Sequence, residues 1–473
     1  MVLYVPNIVE LIGLGLAIDY SLLMVSRYRR ELGNAIDPLI ETMQSAGRTA
    51  VISGATVALG LSTLLLVPVP FVKSLGLACL ILPLVSIAAA VTLQPILLLA
   101  LAKPNNSQFK GLLNLSFDRV TNVAIKRPRA VLASAITIIA VLMSALMWFQ
   151  VTPSSLSAIP GDLESAQALN TVTSKVGVGV ITPSEIVVDL GPHATAKDLA
   201  EVRFEFVKRI AADKEDFTVA NGEKWPYVDP TGRYLRIYVF GNHDLGSSET
   251  RKLVSDLRNI YIPEAGFPKD TKFYLGGAPA QGIDLLDAIG SSLPLIITLI
   301  LLITFVILLR TFKSFVLALK AIILDLISIA LSFSVLVLVF KFGLGTYQLE
   351  QLEAWVLVLL FAVLFGLSMD YEIFIVSRMR EAWDRGLSNE DSIREGMRNS
   401  GTVVTAAALI FITALTGLIT GHFAGLQELG VGLAAGVLID ATLIRGLLLP
   451  SAMVLLGKWN WWLPGQGKTP SNT

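Results

Sequence analysis

The chain has 473 residues, 53% hydrophobic and 16% charged, with a mean hydropathy of +0.67. This is the composition of a membrane protein and excludes an ordinary soluble domain. Basic and acidic residues number 37 each, so net charge points to no nucleic acid and no acidic partner; the single cysteine, Cys79, excludes an internal disulfide and argues against a cysteine-based metal site.

Met1 opens directly on an apolar stretch with no basic segment before it. The first span is therefore expected to act as its own insertion signal or to follow further chain. Roughly 20 apolar residues cross a bilayer. Nine such spans are predicted, at 3–25, 49–67, 72–101, 130–150, 292–309, 315–340, 354–376, 403–420 and 426–456, the last long enough to tilt or to break at Pro450. Arginines and lysines cluster between spans one and two (Arg27 to Arg48), three and four (Lys103 to Arg129), five and six (Arg310, Lys313), seven and eight (Arg378 to Arg398), and after nine (Lys458). With alternating spans these groups share one side, cytoplasmic by the positive-inside rule. The N-terminus is then outside and the C-terminus inside, with Trp459, Trp461 and Trp462 as interfacial anchors.

Two basic-side connectors read as amphipathic. The stretch 109–124 carries Leu112, Leu113, Leu115, Phe117 and Val120 among polar residues and is expected to lie on the membrane surface. The stretch 388–399 starts with Ser388 and Asp391, a helix start, and is expected to tether two spans. The polar stretch 152–290 alternates strand (185–190), helix (196–212), strands (217–220, 234–240), helix (247–261) and strand (272–275). That order predicts one α+β domain of split, ferredoxin-like type on the external side. It carries no phosphate loop, nucleophile elbow or metal-ligand spacing, so enzymatic chemistry is not expected there. Three histidines, His193, His243 and His422, form no cluster. The resulting domain reading is 1–102 (three spans), 103–129 (connector), 130–151 (one span), 152–290 (external domain), 291–457 (five spans) and 458–473 (tail).

The chain repeats itself. Gly15-Leu-Ala-Ile-Asp-Tyr-Ser-Leu-Leu-Met-Val-Ser-Arg-Tyr-Arg29 and Gly366-Leu-Ser-Met-Asp-Tyr-Glu-Ile-Phe-Ile-Val-Ser-Arg-Met-Arg380 align Asp19 with Asp370. Further on, Ser45-Ala-Gly aligns with Asn399-Ser-Gly, Leu75-Gly76 with Leu429-Gly430, and Pro95 with Pro450. Spans one to three thus read as a copy of spans seven to nine, and parallel repeats of this kind are a transporter signature. A carboxylic acid inside a spanning helix costs roughly 2.5–3.5 kcal/mol on insertion scales and marks function by default. Adjacent residues lie about 100° apart on a helix, so each tyrosine is expected to bond the opposite helix's aspartate. Gly15 and Gly366, one turn earlier, are expected to let the two helices approach. Protonating such a cluster biases a two-state packing. Asp440 and Arg445 read as an ion pair, with each other or with a neighbouring helix. Asp325 and Glu10 read as near-interface or packing residues. Glu372 faces largely away from Asp370 and is either a second ionisable group or a snorkelling one. Lys341, Glu350 and Glu353 read as solvated loop residues.

These residues resemble the MMPL family of the resistance-nodulation-division (RND) superfamily. The motifs that carry the likeness are Gly13-Leu-Gly-Leu-Ala-Ile-Asp-Tyr-Ser, Gly366-Leu-Ser-Met-Asp-Tyr-Glu with the following Val-Ser-Arg, Asp440-Ala-Thr-Leu-Ile-Arg445, and Pro160-Gly-Asp-Leu-Glu-Ser-Ala. The resemblance implies a polytopic α-helical membrane protein of the bacterial cytoplasmic membrane. Its repeat is of RND type, with about nine transmembrane helices here and one external α+β porter domain. It implies export of lipids or other hydrophobic compounds, driven by protons through Asp19-Tyr20 and Asp370-Tyr371, with Glu372, Asp440, Arg445 and Asp325 as auxiliary polar groups. No cofactor is implied beyond the proton gradient, and no metal, nucleic acid or enzyme activity. The family's first three spans and first porter domain have no counterpart. The chain is therefore expected to be N-terminally truncated, and either to pair with a polypeptide supplying them or to form a homo-oligomer. The alternatives are a non-transporting remnant or subunit and a protein-export accessory of the same superfamily. An intramembrane aspartyl protease, with two carboxyls sharing a proton, is disfavoured by the long repeat and the external domain.

Overall fold

The computed structural model describes residues 5–32, 36–101, 112–153, 163–212, 217–343, 352–421 and 423–464. Lys103, Lys110, Pro160 to Asp162, Glu350 and His422 lie outside the described residues. Three helical stretches come first: α1 (Val5–Glu31), the short α2 (Pro38–Thr42) running through a π-turn into α3 (Arg48–Ser62), and α4 (Pro70–Leu101). A connector helix, α5 (Leu112–Lys126), precedes α6 (Pro128–Met143). The domain that follows holds β1 (Val151–Thr152), α7 (Glu164–Val176), β2 (Ser184–Asp189), α8 (Ala200–Ala211), β3 (Phe217–Ala220), β4 (Tyr234–Gly241), α9 (Ser248–Asp256) and β5 (Lys272–Gly276). The chain then runs through α10 (Gly277–Phe312), α11 (Phe315–Leu336), β6 (Leu352–Glu353), α12 (Ala354–Asp384), α13 (Asn389–Ile419), α14 (Ala424–Ile439), a π-stretch (Asp440–Leu448) and α15 (Leu449–Leu456). Among the described residues eight helices are long and apolar enough to cross a membrane, or nine if the two limbs of α13, bent by 43°, form one span. The protein is a polytopic α-helical membrane protein.

Four strands form one antiparallel sheet in the order β3-β4-β2-β5. With α8 and α9 this is the βαββαβ arrangement expected from the alternation of elements. Period-2 patterning builds it: Ile186 and Val188 of β2 and Leu235, Ile237 and Val239 of β4 are buried against Phe206 and Ile210 of α8 and Leu253 of α9. The domain is rooted in the bundle twice. β5 runs without a break into α10, which starts fifteen residues before the predicted span. β1 pairs in parallel with β6 at the head of α12, Val151 against Leu352 and Thr152 against Glu353.

The central helix is α12. In its apolar window 89% of residues are buried, against 22–56% in the other spans, as a helix apolar on every face requires. The repeat is visible in the packing as well as in the sequence. A Cβ on Gly76 would lie 2.8 Å from Leu64 Cβ, and one on Gly430 would lie 2.8 Å from Leu418 Cβ. Both contacts join residues shifted by the same interval, so α4 meets the 3-10 turn that follows α3 as α14 meets the end of α13.

Several expectations change. The 388–399 stretch is not a separate tether but the first turns of α13, capped by Ser388, which accepts from the Asp391 N–H at 3.2 Å and donates to its carboxylate at 2.6 Å. The connector α5 also touches the bundle. It packs against α13, α15 and the π-stretch, with Ala124 and Ile125 buried. Trp461 is no interfacial anchor: it is buried, stacks on Trp383 with ring centroids 5.1 Å apart, and donates to Asn389. Of these three tryptophans, Trp459 and Trp462 are exposed.

Candidate functional site

The two Asp-Tyr turns meet in the middle of the bundle and cross. Tyr371 on α12 donates to Asp19 Oδ2 on α1 at 2.6 Å, and Tyr20 on α1 donates to Asp370 Oδ2 on α12 at 3.3 Å. In each aspartate the second carboxylate oxygen, Oδ1, is buried without a hydrogen-bond partner. Each tyrosine thus holds one oxygen of the other helix's acid and leaves the second free to carry a proton. Ser53 and Gly54 of α3 close the Tyr20 side; a Cβ on Gly54 would come within 2.9 Å of the Tyr20 hydroxyl.

Gly15 and Gly366 do not bring α1 and α12 together. A Cβ on Gly15 would lie 2.1 Å from the ring of Phe411 on α13, and one on Gly366 would lie 3.2 Å from Val57 on α3. Each glycine admits the second helix of the other repeat. The acid-bearing helices are therefore gripped crosswise, and their side chains bridge the space between them.

A second polar group sits against this cluster on α11, α12 and the π-stretch. Arg445 Nη2 is 2.6 Å from Asp440 Oδ2, an ion pair whose side chains are 2% and 7% exposed. Residues five apart meet because the stretch carrying them is π-helical, closing i→i+5 turns. Arg445 also donates to the Ser368 carbonyl and, at 3.1 Å, to the Ser368 hydroxyl, and lies 4.8 Å from the centroid of the Tyr371 ring. Ser368 in turn donates to Asp325 Oδ1 at 2.5 Å. Asp325 is buried in the middle of α11, not near an interface, and Glu372 is buried on α12 and does not snorkel. A cavity of about 10 Å³ between α11, α12 and α14 is bordered by Ser328, Ser368, Tyr371 and Asp440. It is at the lower limit for one water molecule.

Four further features escape the sequence. Lys320 is buried in α11 with its Nζ unpartnered. Glu353, read as solvated, is buried: it accepts from the Trp355 indole at 2.5 Å, and its own N–H donates to the buried Glu428 at 3.0 Å. Burial raises the Glu353 carboxyl above its ordinary value, against the pull of the indole N–H. Lys341 donates to the Trp148 carbonyl and to Gln150 Oε1, each at 3.1 Å. Finally, an apolar cavity of about 460 Å³ opens between the turn after α6, α10, α11 and α12 beneath the domain. Phe149, Leu286, Ile289, Leu293, Phe333 and Phe361 line it, with Arg251 of α9 at its rim.

Comparison with known proteins follows the fold. The MMPL family profile matches residues 1–131 and 157–472. A membrane protein of Streptomyces coelicolor is 31% identical over 98% of this chain and 63% of its own length. The trehalose monomycolate exporter MmpL3 of Mycobacterium tuberculosis is 29% identical over 98% of this chain and 53% of its own. The heme uptake protein MmpL11 of the same species is 28% identical, over 98% and 49%. The chain spans about half the length of these mycobacterial relatives. Among solved structures, SecDF, a translocon-associated membrane protein from Thermus thermophilus, shares the fold with a TM-score of 0.57 at 14% identity, over 94% of this chain and 53% of that one.

Proposed function

Because the chain belongs to the MMPL family, we propose that it carries hydrophobic or amphiphilic compounds across the bacterial cytoplasmic membrane at the expense of the proton gradient. The observation that carries this reading is the crossed Asp19–Tyr371 and Asp370–Tyr20 pairing inside an otherwise apolar bundle. A proton arriving at the unpartnered Oδ1 of either aspartate neutralises a carboxylate in a medium of low dielectric. It also changes which oxygen the opposite tyrosine can use, so α1 and α12 repack. A proton crossing the whole membrane supplies about 2.3 kcal/mol per 100 mV. The basic loops lie on the cytoplasmic side in this reading, and the α+β domain outside.

The substrate class follows from the apolar cavity under that domain. Its walls take acyl chains or fused rings, and Arg251 at the rim takes an anionic or strongly polar head. Lipid export is the favoured direction; relatives named for an exporter and for heme uptake share an amphiphilic cargo rather than a direction. A second polypeptide or a second copy of this chain is proposed to complete the substrate route, which a native mass above 51.0 kDa supports and a strictly monomeric active form sinks. The function itself is tested by energised uptake or efflux of a fluorescent lipid in vesicles. Transport is expected to stop with an uncoupler and in Asp370→Asn. Transport retained in both Asp19→Asn and Asp370→Asn refutes the relay.

A further inference from the structure

A proton relay in the bundle needs a way out, and α11 packs on α12 beside the cluster. Two contacts fix how these antiparallel helices lie. Asp325 on α11 is bonded to Ser368 on α12, and Arg380, near the end of α12, reaches the Phe312 carbonyl just before α11 begins, at 3.5 Å. Between those contacts, one to two turns from Asp325 toward the arginine-rich end, Lys320 stands opposite Glu372. Both side chains are buried, at 8% and 3% exposure, and Lys320 Nζ and Glu372 Oε1 have no hydrogen-bond partner. They act on each other electrostatically. The other charged groups facing Glu372 are Arg445 and Asp440, and Asp325 faces it from α11. Lys320 therefore does not snorkel, although the start of α11 is only about 8 Å away at roughly 1.5 Å per residue.

We propose that Lys320 and Glu372 form the exit limb of the proton path, between the crossed Asp-Tyr cluster and the arginine-rich end of the bundle. This rests on the proton-coupled reading above. In the step assigned to Glu372, which faces away from Asp370, the O–H bond of a protonated aspartic acid in the cluster breaks as an intervening water takes the proton, and that water passes a proton on to form an O–H bond on the Glu372 carboxylate. The proton then leaves to water at the arginine-rich end, and the carboxylate again offsets the charge of the Lys320 ammonium. While Glu372 is neutral, the ammonium has no counter-ion, which favours release of the proton; the gradient sets the direction of net flow. Lys320 is a positioning residue; Glu372 carries the proton.

The test uses the full chain reconstituted in vesicles with a pH dye inside and an imposed potassium potential. Proton flux is measured while the pH of each face is varied separately. Lys320→Met is compared with Lys320→Arg and with the neutral pair Lys320→Met/Glu372→Gln, which leaves no unpaired charge and is expected to fold even if the single variant does not. Wild type should conduct and Asp370→Asn should not. The neutral pair should lose at least tenfold, Lys320→Arg should stay within threefold of wild type, and in Lys320→Met the flux profile should shift with pH only at the arginine-rich face. Flux unchanged by Asp370→Asn overturns the relay itself. Flux abolished by Asp370→Asn but normal in the neutral pair, or shifted equally with pH at both faces, overturns the exit limb alone and leaves Lys320–Glu372 a structural lock.

Discussion

Adding a single methyl group at three glycines should separate three outcomes. In the interior of a helix, Gly→Ala gains about 0.5–1 kcal/mol from reduced backbone freedom. At Gly290 in α10 nothing lies within 4 Å of the new Cβ, so that gain should appear in full. At Gly366 the new Cβ meets Val57 Cγ1 at 3.2 Å; a shift of a few tenths of an ångström relieves it, and the variant should be near neutral. At Gly15 the Cβ falls 2.1 Å from the ring of Phe411, itself buried. That ring cannot swing into solvent, and close-packed surroundings do not yield. Overpacking of about 1–3 kcal/mol then outweighs the backbone gain, for a net loss of about 1–2 kcal/mol. The assay is apparent unfolding free energy in detergent for the three variants and for Gly15→Ala/Phe411→Leu, where a smaller side chain should recover most of the loss. Equal stabilities for Gly15→Ala and Gly290→Ala, or no recovery in the double variant, would refute the crosswise grip of the two repeats. Since Gly15 lies one turn from Asp19, Gly15→Ala should also lower transport by more than its stability loss accounts for.

Arg445→Met strips the counter-ion from buried Asp440 and should cost about 3–5 kcal/mol, whereas Arg445→Met/Asp440→Leu should be close to wild type in stability; a double variant as unstable as the single one would show that the ion pair is not what holds the π-stretch. The domain and the bundle should respond to acid with opposite signs, read by hydrogen exchange across pH in the full chain. Asp189 accepts two bonds from Arg233 at 2.6 and 2.8 Å, and the guanidinium lowers its carboxyl from 3.8 to about 2. Its stabilisation is present above pH 3.8 and is lost as pH falls toward 2, so protection in β2 and β4 should decline there and Asp189→Asn should remove that decline. Burial raises the Glu353 carboxyl above 4.5, so its contribution is complete below pH 4.5 and is lost as pH rises through the folded value. Protection at the head of α12 should then fall with rising pH, and a profile unchanged in Glu353→Gln would contradict this.

The residues legible in the sequence were those announced by duplication or by cost. Asp19-Tyr20 and Asp370-Tyr371 stand out because the motif occurs twice in apolar surroundings, and the crossing of their bonds follows from helix geometry alone. Asp440 and Arg445 were legible as a pair, but not their π-turn, since i→i+5 closure depends on what the stretch packs against. The α+β domain was legible because strand and helix periods differ. What stayed hidden is the facing of spans. An apolar run patterned for lipid on one side and protein on the other shows little periodicity, so nothing marked Phe411 as the neighbour of Gly15, or Glu372 as the neighbour of Lys320. Glu353 is hidden for a related reason: a charged residue ahead of a span looks solvated until a tryptophan and a second glutamate are seen to cover it.

The two-residue ladder between β1 and β6 has a mechanical consequence. Leu352 donates to the Gln150 carbonyl at 2.9 Å, and Arg251 of α9 donates to the Val151 carbonyl, so the root of the domain is stitched to the head of the helix that carries Asp370. A one-residue axial slide of α12 is about 1.5 Å, more than backbone hydrogen bonds tolerate, so the strand pair must travel with the helix. With β5 fused to α10 as a second root, any stroke of α12 relative to α10 becomes a tilt of the domain about that root, as a pushrod tilts a valve rocker.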